Sequence, residues 1–190
     1  IRYYGTNSAT GFAWGVDQRI YGEFTKGLES WFTLGIMQTK EKITYSDEVS
    51  GNSVTTDYLR RPTDRRVNLG AVFQDQMPNN PSLRVNLTMN IGTGIPYYLD
   101  GKARYTTTPN TIPPYRRVDI GFSKIFEPKK YKWVGKMGMS NAWLSIDIFN
   151  LLDINNVIGY SWVKDLQNNR YGVPDYLTGR RINIRLYGSF

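Results

Sequence analysis

The chain has 190 residues, 40% of them hydrophobic and 14% aromatic, with 14 Tyr, 5 Trp and a net charge of +8. It contains neither cysteine nor histidine, which excludes disulfide scaffolds, thiolate chemistry, Ser-His-Asp nucleophile systems and the commonest zinc ligand. Lys and Arg are interleaved with Asp and Glu throughout, so no single nucleic-acid patch stands out. No run approaches the roughly 18 apolar residues of a membrane-crossing helix.

Ile1 to Thr10 is polar and aromatic, ends in turn formers and reads as the tail of a loop. No leader pattern precedes it, as expected of a mature chain or of one cut from something longer. From Phe12 the side chains alternate: Phe12, Trp14, Val16, Ile20 and Phe24 on one side, Asp17, Arg19, Tyr21, Glu23 and Thr25 on the other. A period of two marks a strand with one buried and one polar face. A turn at Lys26-Gly27-Leu28 leads to a second strand, about Glu29 to Tyr45, with Phe32, Leu34 and Ile36 on one face. Ser46 to Asp64 is a long polar loop. The third strand carries Val67, Leu69, Ala71 and Phe73; the fourth, after the turn Met77 to Pro81, carries Leu83, Val85, Leu87, Met89 and Ile91.

Ile95 to Pro114 is a second long loop, and the fifth strand follows with Val118, Ile120 and Phe122. Glu127 to Asn141 is a basic connector in which Tyr131-Lys132-Trp133 extends a strand end. Leu144, Ile146, Ile148, Leu152, Ile154, Ile158, Tyr160 and Trp162 all fall on even positions. Ala142 to Val163 therefore reads as one long strand, bulged near Asp153. Asp165 to Thr178 is then a loop. The closing strand sets Ile182, Ile184, Leu186 and Phe190 against Arg181, Asn183, Arg185 and Ser189.

These are seven antiparallel strands, with the long loops after the second, fourth and sixth at one end and the short turns at the other. That segregation is the arrangement of an outer-membrane barrel. Alternation by itself does not separate a barrel wall from a soluble sandwich, since both have one apolar face. Three features favour the wall: aromatics near strand ends (Trp14, Trp31, Trp143, Trp162), mixed charges and Gly on the opposite face, and a central apolar band. An odd count cannot be a complete bacterial barrel, so the chain reads as an arc of one. Ending on Phe190 fits a closing strand whose aromatic sits at the membrane interface.

Five segments resemble the carboxy-terminal barrel strands of TonB-dependent outer-membrane receptors, particularly the Bacteroidetes group. They are Arg61-Pro62-Thr63-Asp64-Arg65-Arg66, Gly92-Thr93-Gly94-Ile95-Pro96, Pro114-Tyr115-Arg116-Arg117-Val118-Asp119, Phe149-Asn150-Leu151-Leu152-Asp153, and Tyr176-Leu177-Thr178-Gly179-Arg180-Arg181 running to Phe190. Leu152 stands where the family commonly has Phe. The resemblance implies the C-terminal arc of a roughly 22-stranded transmembrane β-barrel in the outer membrane of a Gram-negative bacterium. Its lumen would be plugged by an N-terminal domain that, with the earlier strands, lies outside these residues. It would be driven through the TonB complex, taking up a scarce nutrient such as a siderophore, haem, cobalamin or oligosaccharide. The implied partners are lipid, plug, upstream strands and TonB, with no nucleic acid, no cofactor and no enzymatic activity.

On this reading Asp17, Arg19, Glu23, Arg84, Asn86, Asp119, Asp147, Asn183 and Arg185 face the lumen and the plug, and Ile182, Ile184, Leu186 and Phe190 form the terminal strand used in membrane insertion. Tyr58, Arg60, Arg61, Tyr97, Tyr98 and Tyr105 on the long loops suit stacking on, or pairing with, an anionic or sugar-like ligand. Asp47, Glu48 and Asp57 match no known cation loop, and no metal site is assigned. Two other classes remain open: a soluble or surface all-β carbohydrate-binding module using the loop aromatics, and a glycosidase using carboxylates among Asp17, Glu23, Asp119 and Asp147. A polar lumen requires the same carboxylate placement.

Overall fold

The computed structural model describes residues 7–46, 50–98 and 109–190. Seven strands form one antiparallel meander: β1 (Ala9–Thr25), β2 (Leu28–Ser46), β5 (Val67–Met77), β6 (Asn80–Gly92), β9 (Tyr115–Phe126), β10 (Asn141–Phe149) and β13 (Arg181–Ser189), neighbours in that order. Two-residue turns join β1 to β2 and β5 to β6, the first with Gly27 in the left-handed region at φ 79°, where only glycine escapes a steric penalty. Long excursions follow β2, β6 and β10, so the expected segregation of long and short connections holds. Two small strands in the first excursion, β3 (Ser53–Thr55) and β4 (Leu59–Arg60), pair with β2. In the second, β7 (Pro96–Tyr97) pairs with β8 (Asn110–Thr111).

Register makes the apolar stripe continuous. Phe73, Leu87, Ile120, Ile148 and Ile182 are successive partners across five strands. The next row runs Val85, Phe122, Ile146, Ile184, and towards the other end Ile20, Phe32, Ala71, Met89 and Val118 form a third. A one-residue slip in any pair would carry that strand's hydrophobic set to the other face, so the sequence pattern and the pairing specify each other. Among the described residues β1 and β13 are the outer strands of an open sheet.

Three expectations are corrected. Ala142 to Val163 is not one strand: β10 stops at Phe149, and β11 (Val157–Lys164) leaves the sheet to pair with β12 (Arg170–Tyr176) as a separate hairpin. The break has a backbone cause, since Asn150 and Asp153 adopt φ 52° and 53°, a left-handed conformation that Asn and Asp tolerate and that regular β-strands lack, and the Asp153 amide bonds back to the Asn150 carbonyl to close a turn. Asp165 to Thr178 accordingly contains a strand rather than being loop throughout. Tyr131-Lys132-Trp133 does not extend a strand, because Lys132–Lys136 is a short helix, α1. In addition, β1 begins at Ala9, inside the stretch read as a loop tail.

Candidate membrane wall and loop rim

On β9 and β10 burial is inside-out. On β10, Ser145 and Asp147 are 7% and 8% exposed, whereas Ile146 between them is 38% exposed. On β9, Gly121 is buried while its neighbour Phe122 is 45% exposed. Both are interior strands, paired on each side, so the contrast does not come from a sheet edge. At Gly121 a Cβ would lie 2.6 Å from an Asp147 carboxylate oxygen and 2.9 Å from the Asn86 amide oxygen, so a larger residue there would displace both side chains.

The apolar face is bounded at both ends. On β9, Arg116 and Lys124 share the face of Val118, Ile120 and Phe122 and bracket them. Eight residues span roughly 27 Å at about 3.4 Å each, less once strands tilt, which matches a lipid band of about 25 Å. Apart from the connector between β9 and β10, among the described residues no helix or second sheet packs on this face. Ile182, Ile184, Leu186 and Phe190 are all exposed. No helix among the described residues is long and apolar enough to cross a membrane.

The nine residues expected to face a lumen do share the polar face. Arg19, Thr33, Gly70, Asn90 and Arg117 are register partners, as are Asn86, Gly121, Asp147 and Asn183, and Arg84, Ser123, Ser145 and Arg185. Asp17 and Glu23 sit on the same side of β1, and Thr88 opposite Asp119 continues it. An Arg185 guanidinium N–H donates to Asp147 over 2.8 Å, and Asp119 takes up Arg117 and the Asn150 amide. Asp119 and Asp147 thus serve as structural acceptors. The Ser145 hydroxyl is buried on this face with no hydrogen-bond partner among the described residues.

The motif segments meet the long-loop end of the sheet, where the last three bond to one another: the Asn150 and Leu151 amides donate to Asp119 and Val118, and Asn150 and Asp153 hold Thr178 and Arg180. Asp64, fully buried, accepts from the Thr39 amide and from both Arg60 and Arg66 Nε at 2.7–2.8 Å. Burial pushes its carboxyl up, but the Arg60, Thr39 and Arg66 hydrogen bonds and the Arg66 charge outweigh that and hold it below the usual carboxylate value. Thr93 bonds the Val67 backbone through its own amide and hydroxyl. Gly94 lets the chain after β8 approach, since a Cβ there would run into the Ile112 carbonyl oxygen. Asn156 clamps Arg116 through both backbone groups at 2.8 Å. Asn150, 1% exposed, ties its turn to Ile154 and Thr178, while Asp153 accepts from the Arg180 amide. These segments are anchors for the loops rather than loop tips. Asp64, Asn150 and Asn156 escaped the sequence reading as functional groups; the signal was an Asn or Asp flanking each strand end.

The loop candidates have mixed fates. Arg60 is held by Asp64, and Arg61 lies 3.5 Å from Glu41. The Tyr98 hydroxyl donates to the Arg60 carbonyl at 2.8 Å, and burial raises its ionisation above the ordinary tyrosine value despite the nearby Arg60 charge. Tyr58 packs edge-on against Phe12, with the Lys42 ammonium 4.6 Å from its ring centre. Tyr97 stacks on Tyr160 of the β11–β12 hairpin, 4.7 Å between centres, which joins two long excursions. Tyr105, Asp47 and Glu48 lie outside the described residues. No cluster of three or more metal-ligating side chains occurs among the described residues.

Comparison with protein-family models, with curated proteins and with solved structures finds no match to this chain.

Proposed function

We propose that this chain is part of the wall of an outer-membrane β-barrel: the C-terminal arc of a TonB-dependent receptor of about 22 strands, serving active uptake of a scarce nutrient. One observation carries this reading. At the two interior strands β9 and β10 of a continuous seven-stranded sheet the polar face is the crowded one, with Gly121, Ser145 and Asp147 buried, while Phe122 and Ile146 on the apolar face are exposed, and on β9 Arg116 and Lys124 bracket the apolar run. In water such a surface would be far larger than the apolar patches soluble monomers expose; in hydrocarbon it is the expected exterior. The motif resemblance supplies the receptor type, and the anchored long loops supply an outward rim that carries the exposed Tyr58 and the Tyr97–Tyr160 stack. The TonB complex and a plug would act through other parts of the protein.

The test is the medium in which the protein folds. In detergent micelles or liposomes it should acquire β-sheet circular dichroism and run faster on a gel unheated than boiled. In buffer alone it should aggregate. A monodisperse, sheet-rich protein in plain buffer would favour the surface carbohydrate-binding module and overturn the wall.

A further inference from the structure

We propose that the connector between β9 and β10 is an anchor for anionic phospholipid headgroups at the short-turn rim; the inference rests on the wall reading above. The other two connections at this rim are two-residue turns that add nothing to either face. This one folds back. Val134 of α1, completely buried, and Met139 pack onto Ala142, with Phe126 and Tyr131 against them. Ala142 is the register partner of both Phe126 and Gly188, in the row beyond Leu144 on the apolar face. Met139 lies directly over Gly188, since a Cβ there would meet its sulfur at 2.6 Å. The connector therefore sits on the outward, apolar side of the sheet, at its edge.

The connector's own surface is both cationic and greasy. Residues 127–140 hold Lys129, Lys130, Lys132 and Lys136 against the single carboxylate of Glu127, giving 4 − 1 = +3. All four lysines are exposed, and none has an ion-pair partner among the described residues. Trp133 and Met137 are exposed beside them, and Trp133 lies tilted against Phe126 with centres 5.6 Å apart. Lys124, also on the apolar face, stands at the same rim. Tryptophan favours the membrane–water interface, and lysine stems run along apolar surface while the ammonium reaches phosphate. A soluble acidic partner would match the charge but not its continuity with the hydrocarbon-facing sheet.

The experiment uses the full protein reconstituted in liposomes, with an environment-sensitive fluorophore on a Met137→Cys variant lacking other cysteines. Brominated phosphatidylglycerol should quench it about twofold more than brominated phosphatidylcholine, and the preference should fall towards unity at about 0.5 M salt. K129Q/K130Q/K132Q/K136Q should abolish the preference and keep gel heat-modifiability, whereas the four arginine replacements should retain it. Inorganic phosphate should not compete. Equal quenching by both lipids, or full competition by phosphate, would overturn the anchor and leave the wall standing. No quenching by either lipid would overturn both.

Discussion

At Asp64 a carboxylate with no solvent exposure stays charged because three donors converge on it, from Thr39, Arg60 and Arg66. Its ionisation lies below the ordinary value near 3.9, so the folded state binds its proton less tightly than the unfolded chain does. The resulting stability is complete above the unfolded value and is lost as pH falls through the lower folded one. Asp64→Asn should cost about 1–3 kcal/mol at neutral pH, less than a fully buried pair because both arginines reach water. It should also flatten the acid limb of a thermal-melting profile below about pH 5. A variant whose melting point keeps the wild-type pH dependence would show that the Arg60–Arg66 loop end is held by something else. Nothing in the alternation of Val67, Leu69 and Ala71 announces this group. Period-two patterning reports which face a residue takes, and Asp64 lies just before the pattern begins.

The stretch from β10 through the β11–β12 hairpin shows where patterning misleads at the scale of elements. Ile148, Leu152, Ile154 and Ile158 keep even spacing through Asn150 and Asp153 although the chain turns there. Parity carries no memory of whether the backbone between two apolar residues is extended, so a turn and excursion of suitable length preserves it. The deciding information was chemical: Asn150 and Asp153 are residue types that accept a left-handed backbone, and Asn150 satisfies its buried amide on Ile154 and Thr178 carbonyls. The seven sheet strands were legible because each apolar run is bounded by turn formers and has a partner of the same phase. The hairpin was not, because β11 and β12 are mutual partners only. Its excision is therefore informative. Replacing residues 158–176 with a short Gly-Ser turn should leave thermal stability and heat-modifiability close to wild type, since β10 keeps β9 and β13 as neighbours. A single strand through Val163 would instead make that deletion destroy the wall. The Tyr97–Tyr160 stack would go with it, and any ligand gripped there should lose affinity in a binding titration without loss of the fold.

At the scale of the whole molecule the question is what medium meets the apolar face, and position along the strand answers it better than any one substitution. Ile120 sits midway between Arg116 and Lys124, while Leu144 is register partner to Lys124 at the rim. In a bilayer the cost of lysine is graded, about 2–4 kcal/mol at mid-depth and about 0–1 near the interface. Ile120→Lys and Ile146→Lys should therefore suppress assembly in liposomes strongly and Leu144→Lys weakly. On the polar face Asn86→Lys should be close to neutral, since Asn86 is exposed there. Water on the apolar face would make all four mild. A second protein layer would penalise each buried position by its packing, with no gradient tied to the distance from Lys124. Refolding yield, read by unheated gel mobility against denaturant concentration, separates the three cases, and only a depth-dependent penalty on one face is consistent with lipid.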